Sequence, residues 1–185
     1  MALIDDLKSA KDLWKNGTPI TKVFIVLSTF LASGAIASLS DTVFAWKGFI
    51  LDGVNVYRAW VVNPMQQLAS DFGLNIDNFE AHFLVLTALF MAAIYRKVWV
   101  TSEFGMRIFS GVSMLLGLGF LAYLTGNANE VQKNETFFYI YFVICLVYPF
   151  LRKFSSLEKV AYYLPIGSGA GVTLLAGAVN AGLNR

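Results

Sequence analysis

In the stretch 160–183, Gly169, Thr173, Ala176 and Asn180 fall at i, i+4, i+7 and i+11. On an α-helix they form one small, weakly polar stripe, while Val172, Leu175, Val179 and Leu183 make an apolar face opposite. The stretch carries no charge and has 24 residues. At about 1.5 Å of rise per residue it is long enough to cross a hydrocarbon layer of roughly 30 Å. Its glycines, among them Gly167, Gly169 and Gly171, suit close approach of another helix backbone. The stretch 23–40 repeats the design, with Thr29, Ser33, Ala37 and Ser40 on one face. Three more apolar stretches follow at 79–95, 106–125 and 136–151, bounded by charges or by Gly- and Asn-rich turns. This periodicity predicts an all-α integral membrane protein, a polytopic bundle of about five transmembrane helices forming one membrane domain over 1–185.

Two segments do not read as crossings. Residues 1–18 mix charges with Leu3, Leu7, Leu13 and Trp14 at roughly helical spacing, the pattern of an amphipathic helix on a membrane surface. Asp5, Asp6 and Asp12 precede the first apolar core, which is not the pattern of a secretory signal. Thr18 then Pro19 reads as an N-cap and first helical residue. The segment 41–78 is too polar for an ordinary crossing and too apolar for a free loop, so an interfacial helical segment is expected there. Ile50, Val54, Tyr57 and Val61 form one apolar face; Met65, Leu68, Ala69 and Phe72 form a second, after a new start at Pro64. Trp46 and Trp60 are expected at headgroup level.

Composition strengthens the membrane reading: 57% of residues are hydrophobic and 14% charged, where soluble domains carry about 25% charged residues. The placement of the 14 Lys and Arg residues then argues for five crossings with an inside N-terminus. That arrangement puts Lys8, Lys11, Lys15, Lys22, Arg96, Lys97, Arg107, Arg152, Lys153 and Lys159 on the cytoplasmic side, following the excess of basic residues in inner loops. An extra crossing at 49–62 would reverse every later loop and bury Arg58 in hydrocarbon, at about 2.5–3.5 kcal/mol. The expected location is a bacterial inner membrane, with the C-terminus outside and Asp71, Asp77, Glu80 and His82 around an outer mouth.

Candidate chemistry is sparse. One histidine, His82, and one cysteine, Cys145, cannot build a His/Cys metal cluster, and neither H-E-x-x-H nor C-x-x-C occurs. No catalytic residue, metal or cofactor is expected, and the chain reads as a non-enzyme. His82 near Glu80 reads as an interfacial hydrogen-bonding residue, or more sharply as a pH-sensitive gate. The run Gly167-Ser168-Gly169-Ala170-Gly171 looks like a phosphate-binding glycine loop but follows no strand, so helix packing is its simpler role. Pro165 ahead of it raises a broken, cavity-lining helix.

Two functions are compatible with these features. The expected one is a small oligomeric channel or membrane-permeabilising effector whose weakly polar pore is lined by Thr29, Ser33, Ser40, Thr173 and Asn180. The alternative is a non-catalytic membrane subunit or immunity-type protein, using the same stripes for helix contacts and its acidic outer segment for a partner. The expected partners are the lipid bilayer, further copies of the chain and a protein at the outer face; nucleic acid is not expected.

Overall fold

Helix starts follow local capping chemistry. The computed structural model describes residues 11–12, 14–40, 46–101, 103–126 and 135–183. Its helices are α1 (Pro19–Leu39), α2 (Gly48–Tyr57), a π-helical turn (Arg58–Val62), α3 (Asn63–Asp71), α4 (Asn78–Thr101), α5 (Phe104–Gly126), α6 (Glu135–Leu151) and α7 (Ser156–Leu183). No strand occurs among the described residues. Thr18 caps α1 by accepting from the Thr21 N–H, with Pro19 at the first helical position. At the start of α4, Asp77 Oδ1 accepts from Glu80 N at 2.9 Å and Glu80 Oε2 accepts from Asp77 N at 2.8 Å. Ser155 and Glu158 form the same reciprocal box before α7. Most of the expected surface helix 1–18 lies outside the described residues; 11–12 and 14–16 are helical.

Among the described residues four helices are long and apolar enough to cross a membrane: Pro19–Leu39, Asn78–Arg96, Phe104–Tyr123 and Glu158–Gly182. The expected fifth, α6, has 17 residues and is a shorter apolar helix. Pro165 does not break α7, which runs for 28 residues from Ser156, four residues ahead of the expected start. The hub of the bundle is α4. Of its apolar span 56% is buried, against 28% for α1 and α7 and 6% for α5. On it, Phe83 and Phe90 meet Phe142 of α6 edge-on, with ring centroids 5.9 and 5.7 Å apart, and Phe90 stacks on Tyr162 of α7 at 5.2 Å. Such ring pairs contribute about 0.5–1.5 kcal/mol each beyond the area they bury.

The interfacial segment is one helical run rather than two helices. α2, the π turn and α3, of 10, 5 and 9 residues, follow without interruption. Pro64 lacks an N–H and its ring crowds the carbonyl four residues back. The widened turn just before it, where Asn63 N donates to Arg58 O, accommodates that defect. The run crosses the end of the bundle formed by Leu39, Asn78 and Leu183, here called the Asn180 end. Ile50, Val54 and Tyr57 are buried against the bundle, as the apolar spacing predicts. Trp46 is buried and its indole N–H donates to Ala37 O at 2.9 Å, whereas Trp60 is exposed. Trp46 therefore anchors the run onto α1.

Candidate functional site

The two weakly polar stripes meet each other. Gly169 of α7 lies so close to α1 that a Cβ on it would stand 2.5 Å from Ala32 Cβ and 2.8 Å from Ser33 N. Only a hydrogen fits there, which lets the backbones approach. Around this contact every stripe hydroxyl finds an acceptor. The Thr29 and Ser168 hydroxyls pair at 2.8 Å. Ser33 donates to Thr29 O at 2.7 Å, and Thr173 donates to Gly169 O at 3.0 Å and to Ser33 O at 3.3 Å. Ser40 donates to Ile36 O. At the end of the seam, Asn180 Oδ1 accepts the backbone N–H of Lys47, tying the interfacial run to α7. Thr29, Ser33, Gly169 and Thr173 are thus gathered in an α1–α7 seam, with Asn180 bonded to Lys47 at its end and Ser40 bonded within α1; Thr173 and Asn180 are buried. Gly167 and Gly171 are not part of it: a Cβ on either would meet nothing within 4 Å.

The four residues assigned to an outer mouth separate into three places. Asp77 and Glu80 are the cap of α4, and Glu80 is buried. Asp71 is exposed at the last turn of α3. His82 is buried, and its Nδ1 lies 3.3 Å from the Tyr57 hydroxyl. Tyr57, expected only as one member of an apolar face, is the residue His82 meets. Its ring is fully buried, sits edge-on to Phe30, and fills the space beside Gly34, where a Cβ would come within 2.3 Å of Tyr57 Cγ. Burial pushes its phenol above the usual range, against the opposing charge of Arg58. Asp77→Ala is expected to lower unfolding stability by about 0.5–2 kcal/mol through loss of the cap, with Asp71→Ala within about 0.5 kcal/mol of the parent; thermal unfolding in detergent reads both.

A second feature was invisible in the stripes. Over α4, between α1 and α5, opens an apolar groove of about 990 Å³. Phe24, Leu27, Ser28 and Leu31 line it from α1; Leu84, Val85, Ala88, Leu89 and Ala92 from α4; and Leu118, Gly119, Ala122 and Tyr123 from α5. Val61, Met65, Leu68, Ala69 and Phe72 of the interfacial run, with Leu74 and Ile76, line the part nearest Asn78. Only Ser28 and Tyr123 bring polar side chains, and the Ser28 hydroxyl donates to its own helix at Ile25 O. The volume is at the upper end of the roughly 300–1,000 Å³ typical of small-molecule sites. The sequence signal for it is the apolar face Met65, Leu68, Ala69 and Phe72, of which only Ala69 is buried.

Fold and site together define the class: among the described residues, a strand-free helical fold with four helices of membrane-crossing length and composition, a hydrogen-bonded polar seam and an open apolar groove. No protein-family model, curated protein or solved structure matches the chain. Among the described residues no group of three or more His, Cys, Asp or Glu side chains is placed to hold a metal ion.

Proposed function

We propose that this chain is a multi-pass membrane protein, with its N-terminus and the Arg96 end of α4 cytoplasmic and the Asn180 end outside. In this reading it acts as a non-catalytic binding subunit whose working surface is the α1–α4–α5 groove. The observation that carries this reading is the contrast between seam and groove. The hydroxyl and amide groups expected to line a pore are bonded within one chain, across α1–α7, inside their own helices and to Lys47, whereas the groove opens a large apolar volume. A side chain buried between helices does not reach a passing ion to replace its hydration, and Thr173 and Asn180 are buried. The channel reading is the competing outcome, and the outward positions of Gly167 and Gly171 leave it a route through contacts between copies.

Two measurements on one preparation test this. In a Cys145→Ala background, Asn75→Cys is expected to react with an impermeant thiol reagent added outside intact cells, and Glu103→Cys to be protected. Both positions are exposed in the chain, at opposite ends of α4. The reverse labelling would invert the topology. The purified chain in liposomes is expected to conduct no ions; steady conduction abolished by Asn180→Leu would return the assignment to a pore.

A further inference from the structure

We infer that the groove holds an acyl chain of an anionic phospholipid, with the lipid phosphate on Arg96; this deepens the binding role proposed above and rests on it. The groove has a basic rim at the Arg96 end, while Asp71 and Asp77 flank the lining residues Phe72 and Ile76 at the other. Arg96 lies one helical turn beyond the lining residue Ala92, and its guanidinium stands over the ring of Phe24, another lining residue, 5.6 Å from the centroid. Its Nη2 donates to Thr21 Oγ1 at 3.3 Å, and among the described residues no carboxylate pairs with it. A guanidinium has five N–H donors in a planar fork suited to phosphate oxygens, so most of that fork is left for a ligand. The aromatic contact and the hydroxyl fix its position at the mouth.

The dimensions favour a lipid chain over a helix. From Ala92 to Leu84 the groove follows α4 for about 12 Å at 1.5 Å per residue, with Arg96 about 6 Å further on, comparable in all to the roughly 15 Å depth of one leaflet, half of a 30 Å core. Beyond that depth the interfacial residues Met65 and Phe72 wall the groove. A spanning helix needs about 30 Å of path, longer than the stretch lined by α4. A flexible chain entering from the Arg96 end fits that stretch, and it meets apolar atoms along its length with an anion partner at its head.

The test uses the full chain in mild detergent, offered equal amounts of phosphatidylglycerol and phosphatidylcholine with identical acyl chains, with retained lipid counted by native mass spectrometry. One phosphatidylglycerol per chain is expected, about tenfold preferred over phosphatidylcholine, which has the same phosphate but sets the choline cation against the Arg96 guanidinium. Arg96→Gln is expected to remove the preference while some lipid of both kinds remains. Gly119→Phe is expected to reduce retention of both: Gly119 lines the groove, and a Cβ on it meets nothing within 4 Å, so the new ring enters the space without displacing backbone. Equal retention of the two lipids by the parent, or retention unchanged by Gly119→Phe, overturns the inference. So does a lipid-free dimer that Gly119→Phe dissociates, which would assign the groove to a second copy. Release of the chain from carbonate-washed membranes would instead overturn the membrane placement beneath it.

Discussion

Gly169→Ala is expected to destabilise the protein by about 1–3 kcal/mol, the cost of overpacking a tight contact, even though alanine in a helix interior is ordinarily favoured over glycine by about 1 kcal/mol. The sign decides the matter. At Gly169 the added methyl would collide with Ala32 Cβ and with the backbone nitrogen of Ser33, and backbone cannot rotate away as a side chain does. Relief requires parting α1 from α7, which stretches the Thr29–Ser168 and Thr173–Ser33 hydrogen bonds. Gly171→Ala, two residues along the same helix with open space around it, is expected to be neutral or stabilising by up to about 1 kcal/mol. Unfolding of the two variants and the parent in the same detergent makes the comparison. Equal stability of Gly169→Ala and the parent would mean that the helices stand further apart than described.

Tyr57→Ala is expected to cost about 3–5 kcal/mol, as for other large buried rings removed from a core, and to loosen the interfacial run from the bundle. The ring occupies the space that Gly34 leaves open on α1 and reaches across to His82 on α4, so it joins three elements. Tyr57→Phe isolates the hydroxyl and is expected to cost about 1 kcal/mol. Gly34→Ala is expected to destabilise the parent, because its Cβ would enter the Tyr57 ring, and to cost less once Tyr57 is alanine, which removes the ring but leaves the residue-57 Cβ 2.9 Å away. The double-mutant cycle should therefore show a coupling of about 0.5–3 kcal/mol; additivity of the two substitutions would show that Tyr57 is held by other contacts. Limited proteolysis between Gly48 and Asp71 should rise in Tyr57→Ala and remain at the parent level in Tyr57→Phe.

The local content of the fold was legible before any tertiary contact was known. The cap at Thr18 and Pro19, the apolar stretches that became α1, α4, α5 and α7, and the buried face of Ile50, Val54 and Tyr57 all follow from spacing and capping chemistry, which act within a few residues. The stripes 29-33-37-40 and 169-173-176-180 also declared themselves, since helical periodicity is a property of one segment. Which surface each stripe meets is a different kind of question. A row of small polar residues suits a pore, a neighbouring copy or a second helix of the same chain equally well, and the choice rests on which segments the connections bring side by side. The tertiary structure chose α1 against α7, and it selected Gly169 over Gly167 and Gly171 because only one glycine in the run points at the seam. It likewise made α4 the hub, paired Gly34 with Tyr57 across 23 positions, and left the groove where α1, α4 and α5 fail to fill the space between them. Periodicity records which way a side chain points along its own helix; the volume between helices depends on their mutual placement, and no single segment encodes it.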